Sequence, residues 1–139
     1  MKTIVEILEL AAPLKPGFHI KIENEPWMAL TIEDIQELGP NGLPVISVAH
    51  YGEQNGDLMR DPEMLFEVSN QEEATILIPH YWRNDYASVE QYSAWIGDGQ
   101  LSVDPKLQRE HAAFARMWDN NLKEQGFVAA FERQRAQLK

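Results

Sequence analysis

The sequence predicts one α+β domain over residues 1–139, in which a mostly antiparallel sheet of five or six strands packs against an N-terminal helix and two C-terminal helices. The chain has 139 residues, a length typical of a single domain. Its strand-like segments form one block between helical ends, which favours an α+β architecture. No helix-length gap separates these segments, so the parallel crossovers of an α/β fold are not expected.

An amphipathic helix is predicted over residues 1–12. Thr3 and Glu6 have the spacing of an N-terminal capping box. Four apolar residues then fall on one helical face: Ile4, Ile7, Leu8 and Ala11. Pro13 marks the end of the helix, because proline lacks the backbone N–H that would continue the hydrogen-bond ladder.

Two strands are predicted next from the alternation of apolar and polar residues. The first covers residues 18–23, and the second begins at Met28 and extends to about Leu38. Residues 32–38 also fit a short helix, and the alternation does not decide between the two. A turn is predicted over residues 39–42, which have the sequence Gly-Pro-Asn-Gly.

A hairpin is predicted at the centre of the chain. Residues 45–51 are rich in β-branched side chains, which favour a strand. Asn55 and Gly56 predict a two-residue type I′ turn, since both positions of that turn need a positive φ. The return strand is predicted over residues 58–68. Pro62 cannot donate to a ladder, so this strand is an edge or is bulged at that residue.

Two more strands, over residues 74–82 and 89–96, complete the predicted sheet. A Gly-Asp-Gly turn over residues 97–99 closes the last strand, and the C-terminal third of the chain is predicted to be helical. Asp104 is a suitable N-cap with a proline after it, and Gly126 is a natural stop. Between them one stripe is expected to face the core: Leu107, His111, Phe114, Ala115, Trp118 and Leu122. A second helix is predicted over residues 127–138.

Composition excludes several classes of protein. The chain has no Cys, which rules out disulfides, thiolate nucleophiles and thiolate metal sites. Its formal charge of −10 disfavours nonspecific nucleic-acid binding, which needs a basic surface. No apolar run is long enough for a membrane helix and no secretory signal is evident, so a cytoplasmic protein is expected. We expect folding without a metal or cofactor.

The negative charge is concentrated in the predicted sheet. Residues 1–103 hold 5 Lys or Arg and 17 Asp or Glu, whereas residues 104–139 hold 7 and 5. An acidic surface that binds a basic protein partner is therefore expected. Its carboxylates would be Glu53, Asp57, Asp61, Glu63 and Glu67, and its aromatic side chains Tyr81, Trp82 and Tyr86.

Two alternatives remain open for these residues. The aromatic side chains also fit a buried place beneath the C-terminal helices. Carboxylates spaced along a sheet can also imitate phosphates, so a DNA mimic or anti-defence protein is a special case of the binding hypothesis. The oligomeric state does not follow from the sequence.

A small metal-dependent hydrolase is the alternative from a different class. Counting back from the Asn55-Gly56 turn places His50 opposite Asp61, where a carboxylate could orient an imidazole. His80 is the third candidate catalytic residue, because imidazoles and carboxylates suit Zn, Mn or Fe. Against this hypothesis, the chain has no His-Glu-x-x-His motif and no EF-hand loop.

Four segments resemble a small uncharacterised domain family found on plasmids, integrative conjugative elements and phage genomes. They are residues 46–51, 55–64, 84–86 and 118–127, the second of which has the sequence Asn-Gly-Asp-Leu-Met-Arg-Asp-Pro-Glu-Met. The resemblance extends over about residues 18–130. It implies an accessory protein of a mobile element, and it supplies no catalytic residue.

Overall fold

A computed structural model describes residues 1–138 and has the α+β architecture that the sequence predicts. The helices and strands follow in this order: α1 (Lys2–Ala11), β1 (His19–Asn24), β2 (Trp27–Leu38), β3 (Pro44–Gln54), β4 (Asp57–Gln71), β5 (Ala74–Asn84), β6 (Val89–Tyr92), β7 (Ala94–Gly97), β8 (Gln100–Val103), α2 (Pro105–Glu124) and α3 (Phe127–Gln137).

Strands β1 to β6 form one antiparallel sheet in which each strand pairs with its neighbours in sequence. Strands β7 and β8 form a separate two-stranded ribbon. The connections are short because antiparallel neighbours need only hairpin turns. Within residues 1–138, no helix combines the length and the apolar character required to cross a bilayer.

The three helices cover one face of the large sheet. Ile4 and Ile7 of α1, Trp118 of α2 and Phe127 of α3 are buried in the core. The sheet side of this core is apolar and comes from alternate residues of β1 to β4: Ile22, Leu30, Ile32, Ile46, Val48, Met64 and Phe66. This arrangement confirms the stripe predicted for α2, and it leaves the opposite face of the sheet without a helix.

The predicted type I′ turn is confirmed. Asn55 and Gly56 have φ values of 52° and 85°, and Gln54 pairs with Asp57. The register then shifts on β4 opposite His50, where an extra residue forms a bulge that includes Pro62. Pro62 is therefore accommodated by a bulge in a central strand, which is one of the two alternatives that its missing N–H predicts.

The predicted ends of α2 are confirmed, whereas the predicted cap of α1 is wrong. Asp104 Oδ1 accepts a hydrogen bond from the Leu107 N–H at 3.0 Å, and Gly126 has φ 79°. Thr3 lies inside α1 and does not cap it. Its backbone N–H donates to Asp119 Oδ1 of α2 at 2.8 Å, so a carboxylate distant in sequence replaces the local cap.

Two strand predictions are also resolved. Residues 32–38 belong to β2 and are not helical. Residues 89–96, predicted as one strand, are divided between β6 and β7 at Ser93. The Ser93 N–H donates to the His80 carbonyl and the Ser93 carbonyl accepts from the Asp104 N–H, both at 2.9 Å, so the chain leaves the sheet there.

A side chain of α3 closes part of the free edge of β1. The Gln134 amide donates to the Lys21 carbonyl at 2.7 Å and accepts from the Glu23 N–H at 3.2 Å. The amide thus makes the two backbone hydrogen bonds that one residue of a neighbouring strand would make. Covering an exposed edge in this way reduces the risk of unwanted strand pairing.

Candidate functional site

The polar face of the sheet holds a cleft of about 660 Å³. It forms because small side chains on β2, Ala29 and Thr31, lie between longer ones on the neighbouring strands. The residues that line the cleft come from β1 to β4: His19, Lys21, Glu23, Ala29, Thr31, Glu33, Tyr51, Gly52, Glu53, Leu58 and Arg60. The cleft is open to solvent, because within residues 1–138 the helices pack on the other face of the sheet.

The charges in this cleft are not balanced. Lys21 is paired with Glu23, at 3.3 Å between Nζ and Oε1. Arg60 is paired with carboxylates outside the cleft lining. Among residues 1–138, Glu33 and Glu53 have no ion-pair partner. The cleft therefore has an excess of negative charge, which favours a cationic ligand.

A chain of hydrogen bonds and ion pairs runs along the same face of the sheet beside the cleft, and one of its members, Arg60, also lines the cleft. Ser47 Oγ donates to Glu63 Oε2 at 2.6 Å, and Arg83 Nε donates to Asp85 Oδ1 at 2.7 Å. In order, the network contains Ser47, Glu63, Arg60, Asp85, Arg83, Glu90 and Tyr81. Side chains held by several partners are preorganised, so the network holds Arg60 in place at the side of the cleft.

The network also alters the acidity of its members. The Arg60 backbone N–H donates to Asp85, and this bond, followed by the contacts with Arg83, keeps the pKa of Asp85 below its usual value. Burial raises the pKa of Tyr81, and its hydrogen bond to Glu90 acts in the same direction. Burial also raises the pKa of Tyr51 in the cleft, with the charge of Glu63 adding to it. These pKa shifts keep Asp85 ionised and Tyr51 and Tyr81 protonated near neutral pH.

The five carboxylates predicted to form one acidic surface are not placed together. Glu53 and Asp57 are exposed at the β3–β4 turn. Asp61 accepts a hydrogen bond from Asn84 Nδ2 at 2.9 Å, and Glu63 belongs to the network. Only the first two have the exposure that the prediction requires.

The prediction that Glu67 lies on the surface is wrong. Its residue exposure is 0%. Its carboxylate accepts hydrogen bonds from the backbone N–H groups of Asn41 and Leu43 and from the Asn41 side chain, at 2.9, 3.1 and 2.8 Å. The carboxylate thereby holds the β2–β3 turn, because buried charges are retained where several donors surround them.

The residues of the alternative metal site do not form a metal-binding group within residues 1–138. The bulge in β4 disrupts the predicted direct pairing of His50 with Asp61. Both ring nitrogens of His50 have partners, Ala29 and Trp118. His80 is the extra residue of a bulge in β5. Within residues 1–138, no three His, Asp or Glu side chains are grouped to hold a metal ion.

The three predicted aromatic side chains lie in different surroundings. Tyr81 is buried in the network on the polar face. Trp82 packs edge-on against Phe114 of α2, as the alternative interpretation of these residues expected. Tyr86 is half exposed and lies over Gly52, where its hydroxyl occupies the space of a Cβ. Of the three, Tyr86 is the most accessible to a partner.

A Ser–His–Gln arrangement lies beneath α2 and was not predicted from the sequence. His111 Nδ1 is 2.8 Å from Ser93 Oγ, and His111 Nε2 is 3.2 Å from Gln91 Oε1. Ser93 has an exposure of 0%, so a substrate does not reach its hydroxyl. The arrangement joins the β6–β7 junction to α2 and is structural.

Most residues of the cleft do not follow from sequence motifs. His19, Lys21 and Glu23 are the polar half of an alternating strand, and neither Glu33 nor Tyr51 belongs to a motif that indicates a site. The alternation itself was a usable signal, because polar residues at every second position of neighbouring strands share one face. Which of those faces forms a cleft depends on the neighbouring strands.

The four segments that carry the family resemblance meet around the β4 bulge. Asn84 bonds to Asp61, and the Asp85 backbone N–H donates to the Arg60 carbonyl at 2.9 Å. Tyr86 lies over Gly52 of β3, and Trp118 of α2 donates a hydrogen bond to His50 of the same strand. The shared segments thus form one continuous part of the structure, which positions the hairpin that forms a wall of the cleft.

The fold and the cleft together define the class of this protein. It is an α+β domain built on a six-stranded antiparallel meander, with helices on one face of the sheet and an open polar cleft on the other. The chain belongs to the family described as Domain of unknown function (DUF6908), whose model matches residues 2–128. No curated protein and no solved structure matched the chain.

Proposed function

We propose that this protein is a non-enzymatic binding module that takes a basic, extended segment of a protein partner into the cleft on the polar face of its sheet. The observation that carries the proposal is the pair of carboxylates, Glu33 and Glu53, which line the cleft without an ion-pair partner among residues 1–138. A Lys or Arg side chain of the bound protein would form the missing ion pair.

The shape of the cleft supports the same ligand. Thr31 and Ala29 leave room for a long side chain along β2, and Tyr51 and Leu58 line the cleft beside them. Lys and Arg have apolar stems as well as charged ends, so a site with apolar walls and carboxylates suits them. Asp57, exposed at the neighbouring turn, extends the negative surface beyond the cleft.

The wider biological role follows from the family resemblance and not from the cleft. It favours a cytoplasmic accessory protein of a plasmid, conjugative element or phage, acting on a host or element protein with a basic segment. The DNA-mimic form of this hypothesis needs a row of accessible carboxylates. Glu67 is buried and Glu63 is hydrogen-bonded within the network, so neither is available for such a row. We therefore favour a peptide-like ligand.

Titration of a fluorescent Arg-rich peptide and its citrulline counterpart tests the proposal. Citrulline keeps the size of arginine without its charge, so the citrulline peptide is expected to bind weakly. Glu33→Gln combined with Glu53→Gln should raise the Kd of the Arg peptide about twofold to thirtyfold, given about 0.2–1 kcal/mol for each of the two exposed ion pairs. Binding should weaken as salt rises, because salt screens exposed charges.

The matched control is Glu72→Gln combined with Glu73→Gln. These two exposed carboxylates lie at the β4–β5 turn, and their replacement changes the net charge by the same amount. The control should change the Kd less than about twofold. Equal weakening by both double variants would mean that net charge alone attracts the peptide, and it would overturn the assignment of the cleft.

A further inference from the structure

The β7–β8 ribbon, residues 94–103, exposes large apolar side chains that the cleft does not use. Ile96 and Leu101 are 54% and 48% exposed, and Trp95 and Val103 are also exposed. Tyr92, directly before the ribbon, is a fifth large side chain that is exposed. Scattered apolar residues are normal on protein surfaces, but a contiguous group of this kind marks an interaction site.

The register of the ribbon places three of these residues on one face. Ile96 is paired with Leu101, and Ala94 with Val103, so all four side chains share a face. Ala94 is buried at the base of that face, whereas the other three are exposed. A two-stranded ribbon is marginally stable alone in water. Among the elements within residues 1–138, β8 packs extensively only against β7.

The ribbon is also nearly free of charge. Between Tyr92 and Val103 the only ionisable side chain is Asp98, in a chain with a formal charge of −10. A basic partner is attracted to the acidic cleft and gains nothing electrostatic from the ribbon. Two copies of the chain repel each other over most of their surface, and an uncharged apolar face is where they can approach.

The exposed area of the chain is large for a monomer. A folded monomer of 15.9 kDa is expected to expose about 7,400 Å². This chain exposes 8588 Å². The excess of about 1,200 Å², summed over the whole chain, is larger than the roughly 800 Å² that each partner contributes to a standard interface, so the chain has enough surface to bury one.

From these observations we infer that the ribbon is a self-association surface that takes a second copy of the chain. The apolar face of Ile96, Leu101 and Val103 packs against the same face of the second copy across a two-fold axis. One patch that meets itself is the simplest closed assembly. This association is independent of the cleft, which lies on β1 to β4.

Sedimentation velocity of the full chain, from micromolar to near-millimolar concentration, tests the inference. The protein should sediment with twice its monomer mass of 15.9 kDa as concentration rises. Raising the salt concentration should strengthen the dimer, because salt screens the repulsion between two acidic chains. Peptide binding in the cleft should weaken under the same change, so failure of one proposal is distinguishable from failure of the other.

Ile96→Lys and Leu101→Lys should each weaken dimerisation at least about tenfold, as substitutions in the centre of an interface do. Leu38→Lys is the control, because Leu38 lies outside the ribbon at the end of β2 and is more exposed than either residue, at 72%. Circular dichroism establishes that each variant is folded. A monomer at all concentrations, or an equal loss from Leu38→Lys, would overturn the inference.

Discussion

Trp118 donates its indole N–H to Nε2 of His50 across 3.1 Å, joining α2 to the centre of the sheet. Because indole nitrogen can only donate, Nε2 must accept, and the His50 hydrogen is on Nδ1. Nδ1 then donates to the Ala29 carbonyl at 3.0 Å. The sheet thus holds a neutral imidazole whose two nitrogens are both satisfied, which makes His50 a structural residue.

Stability should fall as the pH drops below about 6.5. Burial lowers the pKa of His50, His80 and His111 from the ordinary value of 6.5. At acid pH the unfolded chain therefore binds protons that the folded chain does not, and protonation favours unfolding. Full stability is present above pH 6.5 and is lost progressively below it. Thermal unfolding between pH 8 and pH 5 measures this dependence.

The contribution of one imidazole to this dependence is measurable with His50→Gln. This variant should show a shallower loss of Tm with falling pH, because one of the three buried imidazoles is removed. His19→Gln is the control, since His19 is exposed on β1. A steeper pH dependence for His50→Gln than for the native chain would contradict the expected sign.

Trp118 is expected to stabilise the core by packing and by its hydrogen bond. It is 4% exposed and contacts the rings of both His50 and Phe114. Trp118→Ala should cost about 3–5 kcal/mol, as large aromatic truncations in cores do. Trp118→Phe keeps a ring but leaves Nε2 of His50 unpaired, and should cost about 1–3 kcal/mol. Urea unfolding gives both values, with Trp27→Phe at a half-exposed tryptophan as control.

Glu67→Gln should destabilise the fold by about 1.5–3 kcal/mol, because a carboxylate that accepts three hydrogen bonds becomes a neutral amide. Gly39→Ala should be destabilising as well, since a Cβ on Gly39 would overlap the Glu67 side chain. Chemical denaturation measures both losses. Glu72→Gln, at an exposed carboxylate, should change the free energy of unfolding by less than about 0.5 kcal/mol.

Gly52 and Tyr86 are expected to be energetically coupled. A Cβ at position 52 would collide with the Tyr86 hydroxyl, so Gly52→Ala should cost about 1–3 kcal/mol. In a Tyr86→Phe background the hydroxyl is gone and the nearest ring carbons are 3.2 Å from that Cβ position. The same alanine should then cost less. Equal costs in the two backgrounds, measured by urea unfolding, would show that the two residues do not interact.

Local patterns predicted most elements of the fold correctly. The cap at Asp104, the stop at Gly126 and the type I′ turn at Asn55-Gly56 each depend on a few neighbouring residues, and all three are confirmed. The exceptions have long-range causes. Thr3 was assigned a local cap, but its N–H is satisfied by Asp119, which is 116 residues away in sequence.

The sequence by itself determined the class of fold, most of its elements and the apolar faces that form the core, because periodicity and turn chemistry act over short distances. Only the tertiary structure decided which carboxylates are accessible. Glu53 and Glu67 are both predicted on the acidic surface from the sequence. In the structure Glu53 lines the open cleft, whereas Glu67 is enclosed by the β2–β3 turn. A bulge near Pro62 shifts the register, and a shift of one residue changes which side chains face each other.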